Sequence, residues 1–533
     1  MDGIAPLSVS MGSDPEISGI EYDSRKVGKG NIFLAFPGLH ADGNAFVDAA
    51  IKAGAVAVVH ERELPRHIEG VCYIQVADAR RAASRLAAAF NGEPSRSLGV
   101  IGVTGTEGKS TTVSLIYQLL TLAGRKAGFF STVMSDIGTG EQPNPEHQTT
   151  PEATTVQAKL AAMRDAGCEF AVVESSSHGL SERTARLQDV EFDVGVMTNV
   201  TSEHLEFHGT WERYRSDKAN LFRRLASREK TMLGKARRLP CFGVANADDP
   251  SAAFFAACTD RPVITYSAKG AAATLLASSL APDRAGSNFL IEGPADLLKA
   301  GCRDANCESS RQASLQASAP ASARAEARIN LPGDFNVGNS LAALAVVSAI
   351  TDTAWTSLVP LLARLRPVRG RMMTIERGQP FEVLIDYAHT PSSFETILPP
   401  IRARVKGRIF CVFGSGGERD TEKRPRQGEI AARWCDVVVL ADEDPRGEEP
   451  MALLEDIAAG CPSLRRNERL FLIPDRPTAI RKAFSMAREG DAVLLLGKGH
   501  ENSIIYANRT MPYDEEAEAT AALAELGYDR AGL

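Results

Sequence analysis

A glycine-rich run, Gly102-Val-Thr-Gly-Thr-Glu-Gly-Lys-Ser-Thr-Thr112, follows the apolar segment Ser95-Arg-Ser-Leu-Gly-Val-Ile-Gly-Val103 and precedes the helical pattern Ser114-Leu-Ile-Tyr-Gln-Leu-Leu120. Strand, tight loop and helix in that order restrict the fold to an α/β sheet with the loop at a strand's carboxyl end. Gly105 and Gly108 let backbone N–H groups turn onto phosphate oxygens. Lys109 is long enough to reach the β- and γ-phosphates, and Ser110 carries a hydroxyl suited to Mg²⁺. ATP and Mg²⁺ are the first ligands expected, with Thr106, Glu107 and Thr111 completing the phosphate-facing set. The run departs from the generic phosphate loop, since Val103 stands where a glycine is usual and Gly105 supplies the turn.

At 533 residues the chain is too long for a single core. A net charge of -7 argues against wholesale nucleic-acid or anionic-membrane binding. The nine cysteines are scattered without CxxC pairs, which suggests neither a disulfide framework nor a zinc cluster. The amino terminus lacks a signal-like pattern and no apolar run is long enough for a bilayer, so a cytoplasmic setting is expected.

Residues 18–97 alternate the apolar runs Asn31–Phe36, Ala55–Val59 and Val71–Val76 with helical patterns such as Ala45–Ala53, and read as a small α/β domain over 1–97. Strands at Leu98–Val103, Phe170–Glu174 and Val194–Met197 predict a doubly wound, mostly parallel central sheet, in a domain over 98–356. The Ser/Ala-rich stretch Cys302–Ala327 reads as a surface insertion, being too small and polar to bury a core. Four further runs, Val383–Asp386, Arg408–Phe413, Val437–Leu440 and Ala492–Leu496, each precede a loop and a helix-like stretch. They predict a Rossmann-like third domain over 357–533.

Seven other motifs accompany the glycine loop. They are Glu174-Ser-Ser-Ser-His-Gly-Leu180, Thr198-Asn-Val-Thr-Ser-Glu-His204, Tyr214-Arg-Ser-Asp-Lys218, Asn246-Ala-Asp-Asp-Pro250, Leu331-Pro-Gly-Asp-Phe-Asn-Val-Gly-Asn339, Asp386-Tyr-Ala-His-Thr-Pro391 and Gly497-Lys-Gly-His-Glu501. In this order they closely resemble the Mur ligases of peptidoglycan synthesis, and the resemblance spans nearly the whole chain. It implies a uridine-nucleotide domain, an ATPase domain and an amino-acid domain. Its implied activity is the ATP-driven addition of the third stem-peptide residue to a UDP-N-acetylmuramoyl-dipeptide, by a monomer.

A carboxylate and an ammonium ion do not condense spontaneously at neutral pH, so the family reaction passes through an acyl phosphate, whose formation depends on alignment and charge neutralisation. By the resemblance, Glu174 and His204 are Mg²⁺ ligands with Ser110. Lys218 matches a carbamylated lysine, and with Lys109 these residues form the implied catalytic set. Asn246, Asp249, Asn336, Asn339, Arg371, Asp386, Tyr387 and His389 match ATP-contacting positions. Ser24, Arg25, His40, Asp42 and Gly43 resemble the uridine-diphosphate side, and Thr149, Thr150, Ser176 and Arg186 the muramoyl-peptide side. For the arginine, counting back from Met197-Thr-Asn199 selects Arg186 over Arg183.

In the third domain, Gly414-Ser-Gly-Gly-Glu-Arg-Asp-Thr-Glu-Lys-Arg-Pro425 resembles the family's arginine loop and places Arg419 against the α-carboxylate of the incoming amino acid. Members adding meso-diaminopimelate typically read Asp-Asn-Pro-Arg where this chain has Glu443-Asp-Pro-Arg446. An ionised Asp444 would repel a distal carboxylate and attract an ammonium, which favours lysine or ornithine. Arg446 keeps diaminopimelate as the alternative, and Gly497 and Glu501 complete the expected pocket. Two rival readings are a folylpolyglutamate synthetase-like ligase and a non-catalytic nucleotide-binding scaffold. The first leaves the amino-terminal module unexplained, and the second predicts lesions at Lys109, Glu174, His204 or Lys218, where there are none.

Overall fold

A computed structural model of the chain describes residues 4–10, 14–37, 42–146, 148–201, 203–225, 229–304 and 322–529. It separates into two compact units, one of Met1–Leu276, Gly293–Ala323 and Leu341–Leu358, the other of Ala277–Glu292, Arg324–Ser340 and Val359–Leu533.

The first unit opens with a five-stranded sheet of β1 (Pro6–Ser10), β2 (Gly19–Glu21), β3 (Asn31–Leu34), β4 (Ala57–His60) and β5 (Cys72–Val76), in the order β1-β5-β4-β3-β2. Only β1 runs antiparallel, pairing with β5. The expected Ala45–Ala53 helix divides into a 3-10 turn, Gly43–Phe46, and a helix, Val47–Ala53, that stops where Gly54 takes φ 117°.

The larger sheet contains β6 (Gly99–Thr104), β7 (Ala127–Phe130), β10 (Phe170–Glu174), β11 (Val194–Met197), β14 (Phe242–Asn246) and β15 (Val263–Ser267). They lie parallel in the order β15-β14-β11-β6-β10-β7, then β8 (Met134–Asp136) and β9 (Gln142–Pro143) add on antiparallel. Strands β6, β10 and β11 are buried along their whole length, which is why they read as unbroken apolar runs. The chain leaves β6 for β7 on one side, yet β11 docks on the other. That switch opens a crevice beyond the carboxyl ends of β6, β10 and β11.

Three strands follow, β16 (Leu275–Pro282), β17 (Ser287–Pro294) and β18 (Ser322–Ile329). The last corrects the expected surface insertion: from Ser322 onward its chain is extended, with largely alternating exposure, and small residues form a strand where they need no deep core. Residues 305–321 of that stretch lie outside the described residues, and Cys302–Asp304 end the helix Leu297–Asp304.

A hairpin between β10–β11 and β14, made of β12 (Glu229–Met232) and β13 (Lys235–Arg238), carries the wholly buried Lys230. Its ammonium sits 2.5 Å from Asp193 Oδ2 and donates to the carbonyls of Ser95 and Leu98, each at 2.9 Å. With Glu191 O at 3.4 Å, these acceptors satisfy a charge that burial would otherwise make costly.

The second unit holds a six-stranded sheet of β19 (Met373–Thr374), β20 (Glu382–Asp386), β21 (Ile409–Phe413), β22 (Val437–Leu440), β23 (Leu470–Leu472) and β24 (Ala492–Leu496), in the order β19-β20-β24-β21-β22-β23. All but the edge strand β19 run parallel. Successive residues feed opposite cores: Cys411 and Phe413 on one face, Phe410 and Val412 on the other. Here β24 lies between β20 and β21, a second switch that gathers the loops after β20, β21, β22 and β24 at one edge. Cys72, Cys168, Cys241, Cys258, Cys411, Cys435 and Cys461 are free thiols, and no described helix is long and apolar enough to cross a membrane.

Candidate active site

In the first unit the glycine loop is shaped by the strand beside it. Gly105 adopts φ 154°, and a Cβ there would lie 1.8 Å from Thr198 Oγ1; Gly108 adopts φ 80° as the N-cap of the helix Lys109–Leu122. Asn199 clamps the loop, its carbonyl accepting Thr106 N–H at 2.9 Å and its side-chain oxygen accepting Glu107 N–H at 2.8 Å. Thr198 Oγ1 donates to Glu107 O at 2.6 Å. The loop thus delivers the chain directly into the N-terminus of the helix Lys109–Leu122, where partial positive charge gathers.

Glu174, last residue of β10, is almost wholly buried, and its carboxylate accepts Ser110 Oγ at 3.1 Å, Thr132 N–H at 2.8 Å and Thr132 Oγ1 at 3.0 Å. The hydroxyl and carboxylate expected near Mg²⁺ are therefore neighbours. His204 stands in the left-handed region at φ 56°, 40% exposed, with Nδ1 3.3 Å from Glu206 Oε1. No group of three His, Cys, Asp or Glu in metal-holding geometry occurs among the described residues. Mg²⁺ does not require one, because it commonly takes one or two carboxylates and completes its shell with substrate phosphates and water.

Lys218 lies on the helix Trp211–Arg223, but it is 1% exposed rather than solvated. Its Nζ donates to Gly105 O at 2.6 Å and stands 4.4 Å above the Tyr214 ring. Burial, reinforced by the charge of Lys109, holds its pKa well below the ordinary lysine value. Lys109 is folded back, donating to Thr106 O at 2.7 Å. Beside them His208, which sequence reasoning passed over, links Ser177 Oγ at 3.1 Å to Asp217 Oδ2 at 2.7 Å. Asn246 donates to Thr198 O at 2.8 Å and Asp249 accepts Val200 N–H at 2.8 Å, so both brace the loop after β11.

Thr150 accepts Ser176 N–H at 3.0 Å and donates to Glu174 O at 2.9 Å, while the Thr149 hydroxyl lies 3.0 Å from that of Thr132. The structure brings Arg186 to this group, at 2.9 Å from Thr150 O and 2.7 Å from Glu152; Arg183 turns away to Phe207 O. Of the uridine-side residues, Asp42 caps the turn at Asn44, Gly43 fits where a Cβ would meet the Phe36 backbone at 2.7 Å, and Arg25 is exposed and paired with Asp23. Ser24 is half-buried in the turn after β2, and His40 lies outside the described residues.

In the second unit, Asn339 donates to Asn336 Oδ1 at 3.0 Å, and Asn336 to Pro332 O at 2.7 Å. Asp386 accepts the N–H groups of Met372 and Ala388, the Arg371 guanidinium covers the Tyr387 ring at 4.5 Å, and His389 Nδ1 lies 2.9 Å from Tyr387 O. Across the same sheet edge, Glu443 Oε2 is buried with no hydrogen-bond partner among the described residues and packs against Gly497, where a Cβ would come within 2.7 Å of it. Desolvation raises its pKa. Arg446 stands at φ 55°, and its buried Nε also lacks a partner. Arg419 follows Glu418, itself at φ 54°, at the exposed end of the glycine loop.

One expectation is corrected. Asp444 is not a bare anion: it accepts Lys498 Nζ at 2.9 Å, and the same ammonium donates to Glu501 Oε2 at 2.6 Å. Arg476, also missed, is wholly buried with Glu515 and donates to Leu496 O at 2.8 Å and Asp442 O at 3.4 Å, tying together the loops after β22 and β24. Arg476 has no local signature, because its partners lie far along the chain; Lys498 falls within the Gly497-Lys-Gly-His-Glu501 motif, but its pairing with Asp444 cannot be read from it.

A phosphate loop backed by a buried carboxylate in one unit, and a Rossmann-like parallel sheet in the other, are the parts of an ATP-using α/β enzyme. Family comparison agrees: residues 16–91 match the model described as Mur ligase family, catalytic domain, 103–347 the Mur ligase middle domain, and 370–499 the Mur ligase, glutamate ligase domain. The chain belongs to the Mur ligase family, as an ATP-dependent ligase of peptidoglycan synthesis with that family's three-domain α/β fold. It is 51% identical to UDP-N-acetylmuramyl-tripeptide synthetase of Treponema denticola, over 95% of this chain and 94% of that protein. The same-named protein of Treponema pallidum is 50% identical, over 97% and 96%. A Geobacillus kaustophilus UDP-N-acetylmuramoyl-L-alanyl-D-glutamate--2,6-diaminopimelate ligase is 37% identical, over 97% of both. Among solved structures, a ligase of that last name aligns with TM-score 0.61 at 28% identity, over 96% of this chain and 95% of the other. MurF from Thermotoga maritima in complex with ADP shares the fold at TM-score 0.58 and 21% identity, over 95% and 96%.

Proposed function

We propose that this ligase adds the third stem-peptide residue to UDP-N-acetylmuramoyl-L-alanyl-D-glutamate, in the cytoplasm and as a monomer. Residues 1–97 then take the uridine nucleotide, 98–356 the ATP and 357–533 the amino acid. The carrying observation is the convergence on one loop of Ser110 against Glu174 and of the buried Lys218 against Gly105 O.

The substrate carboxylate attacks the γ-phosphorus of ATP, forming an acyl phosphate and releasing ADP. The amine of the incoming amino acid then attacks the acyl carbon, loses a proton and expels phosphate. Lys109 swings from Thr106 O to the phosphates, and the amides around Gly105 and Gly108 neutralise the transferring group. Ser110, Glu174 and His204 would hold Mg²⁺, their hydroxyl, carboxylate and imidazole donors suiting a cation that, when bound, offsets phosphate charge. Lys218, whose burial favours the free amine over the ammonium, adds to CO₂ with loss of a proton and becomes a carbamate anion beside the loop. Thr149, Thr150, Ser176 and Arg186 hold the dipeptide end, and Ser24, Arg25, His40, Asp42 and Gly43 the nucleotide. Asn246, Asp249, Asn336, Asn339, Arg371, Asp386, Tyr387 and His389 serve ATP.

For the amino acid we favour lysine or ornithine. Asp444 and Glu501 together outweigh Lys498 by one negative charge, which suits a terminal ammonium with no carboxylate beside it. The unpartnered Nε of Arg446 favours the second reading, meso-diaminopimelate, whose distal carboxylate it can meet. ADP release that requires both the UDP-dipeptide and an amino acid tests the reaction. Incorporation compared across lysine, ornithine and diaminopimelate tests the choice, and a preference for diaminopimelate would refute the charge argument.

A further inference from the structure

Lys498 sits in the loop after β24 with its side chain wholly buried, and the carboxylates of Asp444 and Glu501 approach it from two different loops. Asp444 Oδ1 also accepts Ile505 N–H at 3.0 Å, and Glu501 Oε1 accepts the Tyr387 hydroxyl at 3.2 Å. Each carboxylate is thus held by a protein donor besides the lysine. Burial pulls the Lys498 pKa down, but Glu501 and Asp444 outweigh it and hold the group above its ordinary value, so it stays charged. Taken by themselves, Asp444, Glu501 and Lys498 carry one net negative charge.

We infer that Lys498 is a charge-setting and positioning residue: it neutralises Asp444 and fixes the carboxylate of Glu501, leaving one negative charge that selects a substrate's terminal ammonium. The inference rests on this crevice being the amino-acid site. It separates two ways of reading position 444. If Asp444 met the substrate directly, Lys498 would be a bystander. If Lys498 spends the charge of Asp444, the two positions are coupled, and removing both restores the balance that removing one destroys.

The test is steady-state kinetics with lysine or ornithine, whichever is preferred. In D444N, Lys498 cancels Glu501 and the KM for the amino acid rises tenfold or more while that for ATP holds. Adding K498M to D444N lowers the raised KM again by threefold or more. No rise in D444N, or a double variant no better than D444N, overturns the inference. D444N/K498Q repeats the comparison if the methionine variant fails to melt as a folded protein. E501Q separates the two levels: an unmoved amino-acid KM means the crevice is not the amino-acid site, whereas a raised KM without recovery in the double variants means only that Lys498 lacks this role.

Discussion

Gly105→Ala puts the shape of the phosphate loop to a direct test. Its Cβ would lie 1.8 Å from Thr198 Oγ1 and 3.2 Å from both N and O of Asn199. Unstrained contact needs about 3.5 Å, so the threonine or the loop must give by roughly 1.7 Å. Thr198 does not yield freely, because its hydroxyl donates to Glu107 O at 2.6 Å and approaches Thr104 O at 3.3 Å. Turning it away abandons the bond that shapes the loop, and an alanine at φ 154° adds backbone strain of about 1–3 kcal/mol. A displacement near 1 Å at a phosphate-positioning loop costs on the order of 10²-fold in rate. We therefore expect G105A to lose about 10²-fold in kcat/KM for ATP, measured by ADP release, with weakened nucleotide binding by calorimetry. T198A removes the obstructing oxygen, so G105A/T198A should recover part of the ATP affinity while keeping the torsional strain. G105A within threefold of the parent, or a double variant no better than G105A, would refute the reasoning.

Lys218→Ala should lower kcat by 10²-fold or more with a modest change in KM for ATP, and bicarbonate with a short carboxylic acid should restore part of it; near-normal turnover would sink the carbamate. Burial, with His204 and His208, pushes His178 down to about 3, and burial with Arg371 does the same to His500. The unfolded chain binds these protons near pH 6.5 and the folded one does not, so stability is full at neutral pH and falls as pH drops from about 6.5 toward 3. Urea melts at pH 7.5 and 5.0 should differ by about 1–2 kcal/mol per histidine, and an equal difference in H178Q/H500Q would show that other groups cause it. Glu515→Gln strands the buried Arg476 guanidinium and should destabilise the protein by about 3 kcal/mol; because Arg476 joins the loops after β22 and β24, it should also raise the amino-acid KM. Denaturation and amino-acid titration of the folded variant check the two parts separately.

The central strands were readable because parallel strands buried on both faces leave continuous apolar runs, so Phe170–Glu174 and Val194–Met197 coincide with β10 and β11. The antiparallel additions were not. The β12–β13 hairpin is mostly charged (Glu229, Lys230, Lys235, Arg237 and Arg238), and β18 is built mostly from Ser, Ala and Arg, which composition assigns to loops. At the site, Lys109, Glu174 and Lys218 could be picked out because their motifs are contiguous. The burial of Lys218 could not, since it depends on a helix returning to the loop 113 residues away. The state of Asp444 was misread for the same reason: its neutralising lysine comes 54 residues later, and charge at one position says nothing of the partner folding supplies.

The Lys230 clamp has a bearing on how the chain is made. The carbonyls it secures, at Ser95 and Leu98, precede it by 135 and 132 residues, at the junction between the amino-terminal sheet and the larger one. During synthesis at about 5–20 residues per second, that junction waits roughly 7–27 s for its fastener to emerge. Asp193 emerges within the same interval; Val100 N–H is already there to bond it, but its ammonium partner is missing until Lys230 arrives. The amino-terminal sheet can close on its own strands meanwhile, but its tether stays open to proteases and chaperones until the hairpin folds back. A slowed ribosome between codons 100 and 230 would lengthen that exposure without changing a single residue of the finished protein.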